Sequence, residues 1–525
     1  MKLSFLLAAL DAVTLPTRSC DPETEIENIA SDSRAVTKNS LFVCIRGGKN
    51  DGHLYVSDAV KNGAAAILCE RVPDGAENIP IILTPDTRAA LSELWNTFCG
   101  FPGSGMTKIA VTGTAGKTSV TLILEHILSC AGFAVGRIST VGAASRGAKL
   151  ECGNNGGSSL LPEDTAGAMT TPDPEYFFGA MRKMRDDGCS VMIYEASSQS
   201  LLRKTTSAII PDIAVYTNLS PEHLDAHGSM ENYFAAKTSL LCGVKKAVIN
   251  ADDAFFPRLP TLFPDCGFTS VSCKSAESVK RANERRVTAK NISLFGDDGT
   301  EYVYFSDDAV FRAVTPLAGL MSVYNTMEAA ACAMLLGADA MTVKEALASG
   351  PVIPGRCERV AVPHGYERVF PRVYIDYAHT PGALDEICRT MRGVSGDGRL
   401  TVLFGCGGDR DRAKRHAMLE AAEKYADRVI VTSDNPRSED PERIISDVIA
   451  GESESAKIGV IPDRREAIRY AVTHSGAGDT VLLAGKGHEK YEIRGGRMLP
   501  FDEEKIVSEI FAERTERDGK TDNRK

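Results

Sequence analysis

The sequence predicts an α/β protein of three domains: a small α/β N-terminal unit, a central parallel sheet with a short phosphate loop, and a C-terminal Rossmann-like, doubly wound sheet. Three observations carry this. The chain has 525 residues, and a domain takes roughly 100–200. Short apolar runs alternate with stretches of helical periodicity, the pattern of parallel sheets covered by helices. Most of the later apolar runs end in polar turns rich in glycine or proline, where open α/β sheets place their ligands.

The first unit covers residues 1–103. "MKLSFLLAAL" holds one lysine and a brief apolar core, with no small-x-small cleavage site after it, so it reads as an amphipathic first helix. "SLFVCIRG", "AAAILCE" and "IPIILT" are strand-like runs between Gly, Asp and Pro turns, and "FPGSGM" is a linker. In the second unit, 104–355, "KIAVT" precedes a glycine loop and "KTSVTLILEHILSCAG", which has helical apolar spacing and a terminal glycine. "VMIYEAS", "DIAVYTNLS" and "KAVIN" are further buried strands. The third unit, 356–514, holds "RVYIDYAH", "LTVLFGCGG", "RVIVTSDNP", "KIGVIPD" and "TVLLAGKGHE", each a strand running into a polar turn. The tail 515–525, "RTERDGKTDNRK" with its preceding residue, is charged and nearly without apolar side chains, the composition of a disordered end.

Composition excludes several classes. The chain is 43% hydrophobic and 25% charged, with a formal net charge of -10. An acidic protein lacks the basic surface that nucleic acid requires. No apolar run is long enough to span a membrane. There are 14 cysteines, none in a C-x-x-C pair, and several lie in apolar runs as free buried thiols do. That usage fits a reducing cytoplasm.

The loop "GTAGKTS" raises a question of its own. The common phosphate loop is G-x-x-x-x-G-K-[ST]. Here Val111 stands where the first glycine belongs, and Gly113 leaves only two residues before Gly116. The context is nevertheless strand, tight glycine loop, helix. Main-chain N–H groups and the helix N-terminus can cradle phosphate there, Lys117 adds a charge, and the Thr118 hydroxyl can ligate magnesium. Glu195 closes an apolar strand near this loop and suits a magnesium ligand. His223 and His227 are four apart, a spacing that also fits a zinc pair, but no third ligand follows in the zincin pattern.

The loop form G-T-x-G-K-T/S resembles that of the Mur ligases and the folylpolyglutamate synthases, ATP-dependent amide-forming enzymes with three domains. The resemblance to the Mur ligase family covers nearly the whole chain, through "SDSRAVTKNSLFVCIRGGKNDGH", "TTPDP", "YEASSQSL", "TNLSPEHLDAHGSMENYFAAKTSL", "NADD", "VIPGRCERV", "IDYAHTPGAL", "FGCGGDRDRAKR", "TSDNPRSEDP" and "LLAGKGHEKYE" in order. It implies a UDP-binding domain at 1–103, an ATPase domain at 104–355 and an amino-acid-binding domain at 356–514. The implied reaction joins meso-diaminopimelate to the D-Glu γ-carboxyl of UDP-MurNAc-L-Ala-D-Glu through an acyl phosphate, releasing ADP and phosphate. That is a cytoplasmic step of peptidoglycan precursor synthesis, tied to cell shape, cell division and the cell cycle, and expected of a monomer.

The resemblance also assigns residues. Gly113, Thr114, Ala115, Gly116, Lys117, Thr118 and Ser119 form the ATP loop, joined by Asn325, Arg356, Asp376 and His379. Lys117, Glu195, His223 and Lys237 are the catalytic set. Two magnesium ions fall to Thr118, Glu195, His223 and Lys237, the last as a carbamate formed from CO2. Desolvation makes this chemistry reasonable, because a buried lysine loses its proton more easily. Ser33, Gly48, Lys49, Asn50, Thr170, Thr171 and Ser197 match elements that hold the UDP-sugar-peptide. Arg410, Asp434, Asn435, Pro436, Arg437, Gly485 and Glu489 match the set that selects diaminopimelate. An arginine can grip its distal carboxylate and a glutamate its ammonium.

The chain departs from the family at Ala115 (usually Asn), Ser119 (often Thr), Met169 (usually Asn), Gln199 (usually His) and Thr205 (where a substrate-binding Arg is expected). Arg203, two positions earlier, is the candidate to supply that charge. Two alternatives follow: a paralogue that adds lysine or uses a related acceptor, and a binding protein that keeps the fold without turnover.

Overall fold

The computed structural model describes residues 1–10, 12–14, 21–47, 50–74, 76, 79–150, 170–255, 258–274, 284–296, 299–450 and 456–522; the side chains of 225 and 517–522 are outside that description. Three main sheets follow one another along the chain. The first is four-stranded and parallel, in the order β1-β2-β3-β4 (Asn28–Ala30, Ser40–Val43, Ala64–Cys69, Ile81–Leu83). The second holds eleven strands: β5 Thr107–Thr112, β6 Val135–Ser139, β7 Gly142–Ser145, β8 Ala148–Lys149, β9 Val191–Glu195, β10 Ile213–Tyr216, β11 Lys246–Asn250, β12 Gly267–Ser272, β13 Glu284–Leu294, β14 Thr300–Ser306 and β15 Val310–Thr315. Their order is β15-β14-β13-β12-β11-β10-β5-β9-β6-β7-β8, parallel at the centre and antiparallel at both edges. The third comprises β16 Glu358–Arg359, β17 Arg372–Asp376, β18 Leu400–Phe404, β19 Arg428–Val431, β20 Ile458–Val460 and β21 Thr480–Ala484. It runs β16-β17-β21-β18-β19-β20, parallel except at β16. A two-stranded ribbon, β22 Tyr491–Arg494 with β23 Arg497–Pro500, follows the third sheet.

Alternation along β5 shows how the central sheet is buried on both faces. Ile109 and Val111 pack with Leu124, Ile127 and the helix Leu320–Leu335 on one face. Ala110 packs on the other, with Phe177, Phe178 and Tyr194, in a cluster continuous with Leu41, Leu68 and Leu94 of the first sheet's unit. The first and second units are also tied by hydrogen bonds. Ser92 donates to the carbonyl of Thr205 at 2.9 Å, and Lys204 is ion-paired with Asp86. That aspartate also caps the helix Thr87–Phe98 by accepting from Arg88 and Ala89, as exposed first-turn N–H groups require.

Two expectations change. The last helix runs from Glu503 to Asp522, so most of the tail read as disordered is drawn as helix; Ile506, Val507, Ile510 and Phe511 anchor it in the core of the third unit, and the charged turns continue from that anchored part. Residues 523–525 lie outside the described residues. The amphipathic first helix spans only Leu3–Leu7, with Leu3 and Leu6 buried. Among the described residues no helix is long and apolar enough to cross a membrane.

One side chain works against the fold. Glu328, on the helix Leu320–Leu335, has no exposed surface, and neither carboxylate oxygen has a hydrogen-bond partner among the described residues. Burial raises its pKa well above the ordinary value. Its desolvation cost is present at every pH, and a raised pKa adds a penalty that is absent below the unfolded pKa and grows as pH rises toward the folded one. Glu328→Met should therefore raise the melting temperature by roughly 2–4 °C at about pH 8 and by less at about pH 5. Equal gains at both pH values would show that its ionisation is not shifted by folding, and a loss at pH 8 would show that the carboxyl is satisfied.

Candidate active site

Strand order assembles the site. β5 lies between β9 and β10, so the chain leaving β5 meets the carboxyl ends of both neighbours. Gly113–Gly116 crosses this edge and leads into the helix Lys117–Cys130, whose N-cap is Gly116 with no side-chain cap. The helix's first N–H groups are thus left for a ligand, and an anion is the species that such a terminus favours.

The loop is held by its neighbours. Asn218 spans both backbone groups of Ala115: its Oδ1 accepts from the N–H at 2.9 Å, and its Nδ2 donates to the carbonyl at 3.1 Å. Thr217 Oγ1 donates to the same carbonyl at 2.6 Å. The Thr114 hydroxyl lies 3.1 Å from the Tyr233 hydroxyl. Gly113 (φ 148°) and Gly116 (φ 86°) have backbone conformations that favour glycine, and neither has room for more. A Cβ on Gly113 would sit 1.9 Å from Thr217 Oγ1, and one on Gly116 2.6 Å from Asn325 Oδ1. That Oδ1 is buried without a hydrogen-bond partner, so Asn325 abuts the loop with an acceptor to spare.

Two lysines converge here. Lys117 Nζ donates to the carbonyls of Gly113 and Thr114, both at 2.9 Å. Lys237, buried on the helix Met230–Thr238, donates to the same Gly113 carbonyl at 2.6 Å. Burial lowers both pKa values. For Lys237 the drop is large, and the charge of Lys117 adds to it. Beside them Thr118 Oγ1 donates to Glu195 Oε2 at 3.2 Å, and Glu195 accepts from Thr140 through its N–H at 3.0 Å and its hydroxyl at 2.9 Å. Thr171 donates to the Glu195 carbonyl at 2.7 Å and also contacts Ser197 and Ser200. The Thr170 hydroxyl lies 3.2 Å from that of Thr140. This places the Thr170, Thr171 and Ser197 set one residue layer from the loop.

A hydroxyl and a carboxylate side by side at a sheet edge are hard oxygen donors. Among the described residues no group of three or more His, Cys, Asp or Glu could hold a metal. That sparse set fits magnesium, which takes most of its ligands from phosphate and water, and it does not fit a protein-enclosed zinc. The two histidines sit in different settings. His223 stands outside the helix Leu224–His227 as its N-cap, at φ 54°, while His227 is buried against Ser198 Oγ at 3.0 Å.

Sequence reading missed Glu222. Its carboxylate lies 3.7 Å from His223 Nε2 and 3.6 Å from His379 Nε2 of the third unit. Burial alone would raise its pKa, but His379, His223 and Lys117 more than offset that and hold it at about 2. An acid directly before a candidate histidine was the only available signal. Around it, Arg356 stacks its guanidinium 4.7 Å from the Tyr377 ring centre. Asp376 accepts from the Cys357 and Ala378 N–H groups at 2.7 and 2.8 Å, which pins the turn that carries His379.

The third unit contributes a second cluster at the ends of β19 and β21. Arg437, at φ 54°, lies across Gly407 and Gly408 and donates to the Gly408 carbonyl at 2.8 Å. Asn435 Nδ2 donates to Glu489 Oε2 at 2.8 Å. Asp434 Oδ2 lies 2.9 Å from where a Gly485 Cβ would stand, so glycine is required there. Pro436 precedes Arg437 in the same turn, and Arg410 is exposed beside Gly407. In the first unit Ser33 is buried, and Asn50 accepts from Gly47 N–H at 2.8 Å. Gly48, Lys49 and Met169 lie outside the described residues. Arg203 is exposed at the end of the helix Ser198–Leu202, whereas Thr205 is buried against the helix Thr87–Phe98.

Known proteins resemble the chain along its length. Profiles described as Mur ligase family, catalytic domain; Mur ligase middle domain; and Mur ligase, glutamate ligase domain match residues 25–99, 111–333 and 355–487. The UDP-N-acetylmuramoyl-L-alanyl-D-glutamate--2,6-diaminopimelate ligase of Syntrophomonas wolfei is 36% identical, over 96% of this chain and 99% of its own. The protein of that name from Caldanaerobacter subterraneus is 37% identical, over 94% and 96%. The UDP-N-acetylmuramyl-tripeptide synthetase of Deinococcus radiodurans is 35% identical, over 98% and 100%. A solved UDP-N-acetylmuramoyl-L-alanyl-D-glutamate--2,6-diaminopimelate ligase is similar at TM-score 0.65 and 28% identity, covering 98% of this chain and all of its own. The MurF ligase of Thermotoga maritima in complex with ADP shares the fold at TM-score 0.60 and 19% identity, covering 95% of this chain and 100% of its own.

The loop's fit makes Gly113→Ala a direct test of the phosphate reading. The variant should lose ATP-dependent turnover by at least about a hundredfold and lose any rise in melting temperature on adding ATP. Retained stabilisation by ATP would place the nucleotide elsewhere.

Proposed function

The chain belongs to the Mur ligase family, and from that premise we propose that it is the ATP-dependent ligase that adds meso-diaminopimelate to the D-Glu γ-carboxyl of UDP-MurNAc-L-Ala-D-Glu. The observation that carries the reading is near-full-length similarity to several proteins of that name. It places the protein in peptidoglycan precursor synthesis. A cytoplasmic setting, a monomeric state and a part in cell shape and division come with the same reading.

The chemistry follows from two anionic partners. A carboxylate oxygen of the acceptor attacks the γ-phosphorus of ATP, the bond to ADP breaks, and an acyl phosphate forms. The diaminopimelate amine then attacks the acyl carbon, phosphate leaves, and the nitrogen loses a proton. The first step brings like charges together, so fixed positive groups must offset them. Lys117 and the uncapped helix N-terminus after Gly116 serve the phosphates, and Gly113, Thr114, Ala115 and Ser119 shape the loop. Asn325, Arg356, Asp376 and His379 are placed around the nucleotide. Magnesium, when bound, supplies charge neutralisation between triphosphate and carboxylate. Thr118 and Glu195 would hold one ion; His223 and a Lys237 carbamate would hold the second. Lys237 suits that modification because its amine is buried and easily deprotonated, and uncharged amine is the form that captures CO2.

The acceptor sits between Ser33, Gly48, Lys49 and Asn50 at its uridine end and Thr170, Thr171 and Ser197 at its peptide end, with Arg203 offered to an acceptor carboxylate or phosphate. Diaminopimelate is read by Arg410, Asp434, Asn435, Pro436, Arg437, Gly485 and Glu489. It differs from lysine by a distal carboxylate, for which Arg437 is the partner.

Three measurements check this. Arg437→Ala should cut turnover with diaminopimelate by about ten- to a hundredfold, the scale of one charge-assisted hydrogen bond, and leave ATP binding unchanged. Unaltered selectivity against lysine in the variant would remove Arg437 as discriminator. Lys237→Ala should lose most activity and recover part of it with a short carboxylic acid; full activity without additive contradicts the carbamate. Arg203→Ala should raise the acceptor KM far more than the ATP KM, and equal small effects would mark the charge as merely solvated.

A further inference from the structure

The third unit's pocket is held in shape by a side chain that the reading above gives no role. Lys486 lies between Gly485 and Gly487, just past β21, with no exposed surface. Its Nζ meets acceptors on two other segments: Asn435 Oδ1 at 3.1 Å, the Tyr491 carbonyl at 3.0 Å and Asp434 Oδ1 at 3.2 Å. Two of its three N–H donors are spent on Asn435 and Tyr491, and the Asp434 carboxylate is held beside it as an ion pair, so the buried ammonium acts through these neighbours.

Its effect passes through Asn435. The Asn435 Oδ1 accepts from Lys486 and also from the Ile493 N–H at 2.9 Å. A flipped amide would aim its own NH2 at two donors, so only one orientation is tenable. In that orientation Nδ2 points at Glu489 Oε2, 2.8 Å away, and Tyr377 reaches the other Glu489 oxygen at 3.4 Å. Asp434 is fixed from the same side. Burial pushes its carboxyl up, yet Lys486 and Arg464 together hold it below its ordinary value. Arg464 is itself locked by Glu503 at 2.7 Å and by the Ala484 carbonyl at 2.9 Å.

We propose that Lys486 is the positioning residue of the amino-acid pocket: it orients the Asn435 amide and the Asp434 carboxylate so that Asp434 and Glu489 together face an ammonium group of the incoming diamino acid. The inference rests on reading this cluster as the amino-acid site.

Steady-state kinetics of Lys486→Met and Lys486→Gln test it, with meso-diaminopimelate, ATP and the UDP-linked acceptor each varied in turn. Lys486→Met should raise the diaminopimelate KM by about tenfold or more, change kcat by less than about threefold, and leave both other KM values unchanged. Lys486→Gln keeps an amide donor and should fall between this variant and the native enzyme. A diaminopimelate KM unchanged in a folded variant, or all three KM values rising together, overturns the proposal. If Lys486→Met does not fold, Lys486→Gln decides by the same split. The native enzyme is assayed in parallel with L-lysine. Use of lysine alone would refute the proposed substrate, and the positioning role would then be judged on the KM for lysine.

Discussion

One peptide carbonyl, that of Gly113, accepts from two lysines, the half-buried Lys117 and the buried Lys237, and the rest of the site is arranged around that contact. Two ammonium groups so close repel each other strongly away from water. The strain is relieved in two ways: Lys237 gives up its proton readily, and the protein supplies Glu222 and Glu195 around Lys117. A triphosphate adds more negative charge, and converting Lys237 to an anion would remove one of the two positive charges outright. The loop therefore has a reason to be short. Gly113 must turn tightly enough to face both lysines, and Thr217 stands where any side chain on it would go.

The same contact explains how three units make one site. β5 between β9 and β10 brings Gly113, Glu195 and Thr217 to one edge of the central sheet. The first unit is fastened to the back of that edge through Ser92 and Asp86. The third meets its front where Glu222 reaches His379 and where Gly355 packs against His488 with no space for a Cβ. Glu222 belongs to the segment after β10 and stands next to His223, so the same short turn feels the charge of Lys117 and pairs with the neighbouring unit. An acid there joins His223 and the third unit's His379 in a single side chain.

How much could be read beforehand depends on the range of the interaction. The glycine loop, the helix after it and Glu195 at a strand end carry local signals, and the structure brings Lys117, Thr118 and Glu195 together. Glu222 carries only the histidine beside it and Lys486 only its flanking glycines, and the partners that give them their roles, His379 and Asn435, lie 157 and 51 residues away. Strand order is equally non-local, since nothing in "KIAVT" says that it will lie between "VMIYE" and "IAVY". The histidine pair, whose zinc reading already lacked a third ligand, shows the same limit. Spacing of four implied one helical face, but a left-handed residue at His223 starts the helix after it. Thr205 was legible as a departure, while its burial against the first unit was not.

The account stands on which amide the enzyme makes and by what route. Purified protein would be given ATP, magnesium, equal amounts of meso-diaminopimelate and L-lysine, and UDP-MurNAc-L-Ala-D-Glu labelled with oxygen-18 in its D-Glu γ-carboxyl, with products and released phosphate analysed by mass spectrometry. The account predicts the diaminopimelate adduct and one oxygen-18 atom in the phosphate, transferred through the acyl phosphate. A lysine adduct, unlabelled phosphate or ATP consumption without amide would contradict it.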